Sequence, residues 1–350
     1  MVPRGRMSGW IESLPIGLSA ALFLGAAVVV WIAGTRLSRL ADAIARRTGI
    51  GQATLGVLLL GGVTSLPEIA VAGSAAFAGN GPLAVNNLLG GFTMQVAILA
   101  LADAVYRRGA LTTAVPDPVV LLQGTLGVIL MALVVAAIAV GDHLVLGAGL
   151  WSWGIFTVFL VSLRLLSSAQ GRLDWKVVGE PPSEDLPDIE TPDFGKKSLI
   201  LRTAGVAAAI FAAGWLLSST AETLAERTGL GQSFFGAVFV AIATSLPEVS
   251  TVVSAMRLKR YVMAVSDILG TNLFDIALIL VVDLAYVGPA VLGEAGSFSI
   301  LAGVLGILVT AIYMAGLLER RDPAVAGIGH DSLAVAIVYL GGIALLFGMR

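Results

Sequence analysis

The chemistry of this chain is concentrated in two glutamates set into otherwise apolar sequence. Glu68 closes the string Thr64-Ser65-Leu66-Pro67-Glu68, and Glu248 closes the same string at Thr244-Ser245-Leu246-Pro247-Glu248. In each string Thr and Glu stand four apart and share one helix face. Proline has no N–H and clashes with the carbonyl four residues back. Each helix is therefore expected to bend or open, around Val63–Thr64 in the first copy and Ala243–Thr244 in the second. Freed carbonyls at membrane depth are tolerated where they line a polar cavity or bind a cation. A carboxylate buried alone there costs about 2.5–3.5 kcal/mol or more. Two facing each other repel, and one tends to hold a proton. A divalent cation between them removes both problems. Carboxylate, hydroxyl and carbonyl oxygens form a hard-cation set that suits Ca2+ or Na+ and not Zn2+ or Cu+. One copy alone is explained by a kinked helix whose acid pairs with a neighbour. A second copy at the matching position argues for a site, although duplication preserves structural motifs too.

A second pair of segments follows. Asn86-Asn87-Leu88-Leu89-Gly90-Gly91-Phe92-Thr93-Met94-Gln95 matches Ser266-Asp267-Ile268-Leu269-Gly270-Thr271-Asn272-Leu273-Phe274-Asp275. Thr271 and Asp275 share a helix face. The first copy has Gly91, with no side-chain oxygen, and Gln95, neutral and long, in their places. Asp103 and Asp283 also match, but they fall near helix ends, where a structural or interfacial role is expected. Trp151 and Trp153 read as interface anchors.

These strings belong to a longer duplication. Residues 41–103 recur at an offset of 180 without a gap, and about a third of the paired positions are identical. Arg47-Thr48-Gly49-Ile50-Gly51-Gln52 returns as Arg227-Thr228-Gly229-Leu230-Gly231-Gln232. The chain is 57% hydrophobic and 13% charged, half the charge of a soluble domain at about 25%. It therefore reads as an all-α polytopic membrane protein. Glycine is spread throughout, and no barrel-type alternation appears. Apolar segments near 14–36, 51–77, 82–105, 117–140, 144–166, 199–220, 231–257, 262–286, 297–318 and 331–348 predict about ten spans. The expected organisation is a first five-helix repeat (1–166, motif 51–103), an acidic, proline-rich linker (167–197) and a second five-helix repeat (198–350, motif 231–283). The linker lacks the spaced ligands and glycine of a calcium loop. Val2-Pro3-Arg4-Gly5 ahead of Met7 reads as a vector-derived leader, with native translation from Met7.

Lys and Arg are unevenly shared between connections. The odd-numbered ones carry Arg36, Arg39, Arg46 and Arg47, then Arg107 and Arg108, then six between Arg164 and Arg202, then Arg257, Lys259 and Arg260, then Arg320 and Arg321. The other side has Arg4, Arg6, Arg227 and Arg350. The linker is thus expected in the cytoplasm and both termini outside, in an inner (plasma) membrane. Five helices per repeat is an odd number, so the halves enter the membrane with inverted topology. Cysteine is absent, which excludes disulfides and thiolate metal sites. His143 and His330 fall in predicted loops, leaving little for a His-based metalloenzyme. A net charge of -2 offers nothing for nucleic acid.

The two strings Thr-Ser-Leu-Pro-Glu and Asp-Ile-Leu-Gly-Thr-Asn-Leu-Phe-Asp, with the five-plus-five plan, resemble the sodium/calcium exchangers of the cation/Ca2+ antiporter superfamily, prokaryotic type, with two alpha-repeats. The resemblance covers nearly the whole chain. It implies Glu68 and Glu248 as central Ca2+ ligands, assisted by the carbonyls of Thr64 and Thr244. It implies Na+ coordination by Ser65, Ser245, Thr271 and the carbonyls of Gly61 and Ala241, with Asp275 where the family has an acid or amide. The family usually has Gly-Ser-Asn where this chain has Gly90-Gly91-Phe92, and Asn where it has Gln95. One hydroxyl ligand is lost, which opens the question of the counter-ion.

The resulting expectation is a non-enzymatic antiporter that exchanges Ca2+ for Na+ by alternating access at a midplane site. Ca2+ and Na+ are cargo rather than cofactors, the lipid bilayer is the surroundings, and no obligatory protein partner is evident. The alternatives are a proton-coupled exchanger of Ca2+ or another divalent ion, and a passive cation channel. A channel should show rings of charge in a symmetric oligomer, whereas this chain carries its pseudo-symmetry within itself. An intramembrane hydrolase would need a nucleophile or His ligands beside the acids.

Overall fold

A computed structural model describes residues 13–48, 56–77, 79–106, 109–169, 195–226, 234, 236–321 and 323–349. Most of the Arg-Thr-Gly-x-Gly-Gln strings, residues 170–194 of the linker and the first twelve residues lie outside that set. Ten helical stretches appear among the described residues. They are α1 (Ile16–Thr48), α2 (Leu66–Phe77), α3 (Gly81–Tyr106), α4 (Pro118–Val140), α5 (Leu150–Ala169), α6 (Lys196–Glu226), α7 (Leu246–Arg257), α8 (Tyr261–Ala285), α9 (Ser297–Glu319) and α10 (His330–Gly348). A π-helical turn and a short helical piece precede α2 (Gly56–Gly61, Gly62–Thr64) and α7 (Gly236–Val240, Ala241–Thr244). Among the described residues nine stretches are long and apolar enough to cross a membrane, and the bent pair Ala237–Thr244 with Leu246–Arg257, taken as one span, makes a tenth. The protein is a polytopic all-helical membrane protein.

The repeat extends far beyond 41–103. Adding 180 to the bounds of α1 through α5 lands within two residues of the bounds of α6 through α10 at every described end. It also carries the two-residue strands β1 (Leu144–Val145) and β2 (Ala148–Gly149) onto β3 (Ala324–Val325) and β4 (Ile328–Gly329). Each pair is an antiparallel hairpin, Leu144 opposite Gly149 and Ala324 opposite Gly329. The two-residue loops, Leu146-Gly147 and Ala326-Gly327, have positive φ throughout (50°, 83°, 54° and 82°), the mirror-image turn whose twist suits a short hairpin. The span expected from 144 accordingly starts at Leu150, after the hairpin. His330 is the first residue of α10, not a loop residue.

Burial sorts the helices. In α3 and α8, 78% of the apolar window is covered by protein, against 22% in α1, α6 and α10. The central pair packs on each other and on α4 and α9. α1 and α6 lie against each other at the periphery, with α1 also against α7 and α6 against α2. α1 runs past its expected apolar stretch to Thr48 because its end has protein to pack on. In α1, Leu37, Leu40 and Ala41 are buried, and Asp42 Oδ1 meets Arg260 Nε at 2.6 Å with both side chains nearly enclosed.

The acids near the helix ends are staples between repeats. Asp103 accepts from Leu111 N–H (2.7 Å) and, across the repeat boundary, from Gly329 N–H (2.7 Å). Asp283 accepts from Val291 N–H (2.8 Å) and from Gly149 N–H (2.7 Å), with Ser152 Oγ as a further donor. Each carboxylate thus ties the end of one repeat's central helix to the other repeat's hairpin. Trp153 donates its indole N–H to Val145 C=O at 3.0 Å and anchors its own hairpin.

Candidate cation site

The break in each motif falls at Ser65 and Ser245, one residue later than expected. Pro67 and Pro247 have no N–H to offer Val63 and Ala243, yet Ser65 N–H still bonds Gly61 C=O (3.1 Å) and Ser245 N–H bonds Ala241 C=O (2.9 Å). The helix therefore holds through Thr64 and Thr244 and turns on the serines. The second pair bends by 47°. The carbonyls of Gly61 and Ala241 accept those bonds and also face the hydroxyls of Thr64 (3.4 Å) and Thr244 (3.3 Å).

Each broken segment leans on the other repeat. The π turn at 56–61 packs on α8 and the turn at 236–240 packs on α3. Contact is close enough to require small residues. A Cβ on Gly61 would stand 2.8 Å from Thr271 N, and one on Gly90 would stand 2.2 Å from Ala237 O. This crossing is what brings side chains of the two repeats together.

Two of the expected residues, Ser65 and Gln95, are bonded to Asp275, and Thr64 and Thr271 form a second bonded pair. Asp275 Oδ1 accepts from Ser65 Oγ at 3.1 Å, and its Oδ2 accepts from Gln95 Nε2 at 2.8 Å. Gln95 and Asp275 are themselves repeat partners. Thr64 Oγ1 lies 3.0 Å from Leu60 C=O and 3.1 Å from Thr271 Oγ1. Thr271 in turn donates to Asp267 C=O at 2.9 Å. Thr244 Oγ1 reaches Ala241 C=O at 3.3 Å. Asp275 holds the Gln95 amide nitrogen, which orients Gln95 and leaves its Oε1, the acceptor atom, without a partner.

Glu68 and Glu248 are different. Both are fully buried, and none of their four carboxylate oxygens has a hydrogen-bond partner. Ser245 Oγ and Gln95 Oε1 are likewise buried and unpartnered. Glu248 lies within electrostatic reach of Glu68, Asp267 and Asp275, and Glu68 within reach of Asp275. Buried polar atoms are ordinarily satisfied, so this many orphaned oxygens in one region marks a place for a charged guest. Among the described residues no three His, Cys, Asp or Glu side chains converge to hold a metal by themselves. Hydroxyl and carbonyl oxygens have to complete any coordination shell, as hard cations accept.

The sequence reading passed over Asp267. It is fully buried and bonded to the Thr251 hydroxyl. Its position four residues before Thr271 and eight before Asp275, on one face of α8, was the signal. Its repeat partner is the neutral Asn87, so the duplication did not single it out.

Comparison with known proteins finds a matching family model, relatives and a shared fold. The family model described as sodium/calcium exchanger protein matches residues 18–165 and 197–347. A putative antiporter, CaxA, of Alkalimonas amylolytica is 27% identical over 89% of this chain and 94% of its own length. The inner membrane protein YrbG of Escherichia coli (strain K12) is 27% identical over 95% of this chain and 96% of its own. The solved sodium-calcium exchanger NCX_Mj shares the fold with a TM-score of 0.64 at 16% identity, over 94% of this chain and 99% of that one.

Proposed function

Because the chain belongs to the sodium/calcium exchanger family, we propose that it is a Ca2+ antiporter of the inner membrane, with Glu68 and Glu248 as the ligands of one midplane Ca2+. The observation that carries this reading is the set of four buried, unpartnered carboxylate oxygens beside hydroxyls and carbonyls of both repeats. Removing either charge leaves a divalent ion half-neutralised in a low-dielectric interior, where electrostatics are strongest. An antiporter must not leak, and a cargo site shared by two inverted repeats is exposed to one side at a time when one repeat rocks against the other.

Na+ is the counter-ion that the family favours, with Ser65, Ser245, Thr271 and the carbonyls of Gly61 and Ala241 as its ligands and Asp275 and Gln95 beside them, while the carbonyls of Thr64 and Thr244 assist the glutamates with Ca2+. The second reading is proton coupling. It is favoured by a specific observation: on the first-repeat side Gly91 supplies no hydroxyl, and a Cβ there would meet only Asp275 Oδ2, at 3.8 Å. The bias of Lys and Arg puts the 167–197 linker in the cytoplasm and both termini outside. Cysteines introduced into the linker and the C-terminus of this cysteine-free chain should label from opposite faces.

The functional test is Ca2+ uptake into proteoliposomes under an imposed Na+ gradient, set against the same uptake under an imposed pH gradient. Uptake driven by the Na+ gradient alone supports Na+ exchange. Uptake driven by the pH gradient alone supports proton exchange. Uptake indifferent to both is channel behaviour and overturns the antiport.

A further inference from the structure

Asp267 is a buried acid whose charge the exchange reaction as described does not use. Its Oδ2 is bonded to the Thr251 hydroxyl, and its Oδ1 is enclosed without a partner, as is the neighbouring Ser266 Oγ. No basic side chain among the described residues pairs with it; Arg260, on the same side of the protein, is engaged by Asp42. Thr251 Oγ1 also lies 3.0 Å from Glu248 C=O, so one hydroxyl bridges the turn carrying Glu248 and the turn carrying Asp267. Along α8, Asp267 stands eight residues, about 12 Å, before Asp275 and six residues, about 9 Å, after the helix start. That start adjoins the Arg257, Lys259 and Arg260 connection, the cytoplasmic side in the orientation proposed above. The equivalent place in the other repeat, on the approach from outside, holds Val71 and Asn87. Asn87 is buried with both amide atoms unpartnered. The two approaches thus differ at matching positions: the inner one carries a charge and the Thr251 hydroxyl that braces it, and the outer one carries neither.

We propose that Asp267, braced by Thr251, is a second cation-binding position on the cytoplasmic approach, which captures the divalent ion before it reaches Glu248. It rests on the function and orientation proposed above. Bound there, the ion sees one carboxylate and water. That is a weaker shell than the central one, as a transfer position requires. The asymmetry favours loading from the cytoplasm at low Ca2+, and release to the outside past the uncharged Asn87.

The test uses Asp267→Asn, which copies the first repeat into the second. The Ca2+ concentration giving half-maximal exchange is measured separately at each face, in inside-out and right-side-out vesicles. At the cytoplasmic face it should rise about tenfold, with the maximal rate kept and the outer face changed less than about twofold. Asn87→Asp should lower the half-saturating Ca2+ at the outer face. An equal change at both faces would make Asp267 a ligand of the central site, and no change would make it a packing residue. An effect confined to the outer face would reverse the orientation; each of these three results overturns the proposal. Should Asp267→Asn not fold, Thr251→Val removes the brace and is expected to shift the same cytoplasmic constant in the same direction. Failure of the central reading looks different: a Glu68→Gln protein would still exchange Ca2+, and the comparison between faces would remain readable.

Discussion

At their ends the two repeats are built alike, and in their middles they are not. Asp103 and Asp283 each take one backbone N–H from the following turn and one from the other repeat's hairpin, at nearly the same distances. Halfway along the same two helices the first repeat presents Asn87, Gly91 and Gln95 where the second presents Asp267, Thr271 and Asp275. Structural acids are kept in pairs because both halves need the same staple. Acids in the middle differ between the copies, as the proposed shared site allows, since ligands from either half can serve it. The difference teaches where symmetry is a requirement of folding and where it is raw material for ion choice. Glu68 and Glu248 are the exception in the middle, paired and unsatisfied in both copies.

That contrast can be broken most severely at the paired glutamates. Glu68→Gln and Glu248→Gln should each lower Ca2+ exchange by about a hundredfold or more, since each removes one of two charges facing a divalent ion. Both proteins should fold, because a neutral amide is easier to bury than a carboxylate. Exchange in proteoliposomes and elution as a monodisperse species check the two halves of this expectation. A loss in only one variant would mean that the pseudo-symmetry does not extend to function.

A smaller effect of a different kind is expected at the staples. Asp103→Asn and Asp283→Asn each weaken hydrogen bonds to a charged acceptor, at about 1.5–3 kcal/mol per bond before compensation. Thermal unfolding in detergent should show a loss of stability of similar size in the two variants, with half-saturating Ca2+ unchanged. A shift in ion affinity would place these acids in the transport path instead.

The smallest effect sharpens the comparison in the middle. Gly91→Ser restores a hydroxyl one turn before Gln95, and the space beside Asp275 Oδ2 admits its Cβ at an ordinary 3.8 Å. The Na+ concentration for half-maximal Ca2+ flux should fall by about threefold, the worth of one further hydroxyl bond on the scale of half a kcal/mol or more. A parent with tight Na+ dependence and no pH sensitivity, left unchanged by the substitution, would make Gly91 a packing residue.

How far the sequence could be read follows the strength of its local signals. Ten spans and the paired Thr-Ser-Leu-Pro-Glu strings were legible because apolar length and a proline beside an acid are strong marks. The five-plus-five plan was legible too, but the constancy of the 180-residue offset outside 41–103 was not, because there the lipid-facing residues are interchangeable and little identity survives. The hairpins at 144–149 and 324–329 were hidden for another reason. Each strand is two residues long, and Leu146-Gly147 and Ala326-Gly327 lack the Asn-Gly or Asp-Gly that announces such a turn. The break was placed at Val63–Thr64 from the proline alone; the backbone bonds of Ser65 and Ser245 move it by a residue. Gln95 was read as a ligand by its position, but only the structure shows Asp275 occupying its nitrogen and leaving its oxygen free. Asp267 escaped because a search for matching acids is blind to an acid opposite an amide.

The central claim is that Glu68 and Glu248 hold one divalent cation between the repeats. Crystals soaked with Sr2+, a heavy stand-in for Ca2+, test it by anomalous diffraction. The account predicts a principal anomalous peak bounded by carboxylate oxygens of both glutamates, at or slightly beyond the roughly 2.3–2.6 Å of Ca2+–oxygen bonds, and its loss in Glu68→Gln. A strongest peak coordinated by neither glutamate, or one that survives in Glu68→Gln, would contradict it.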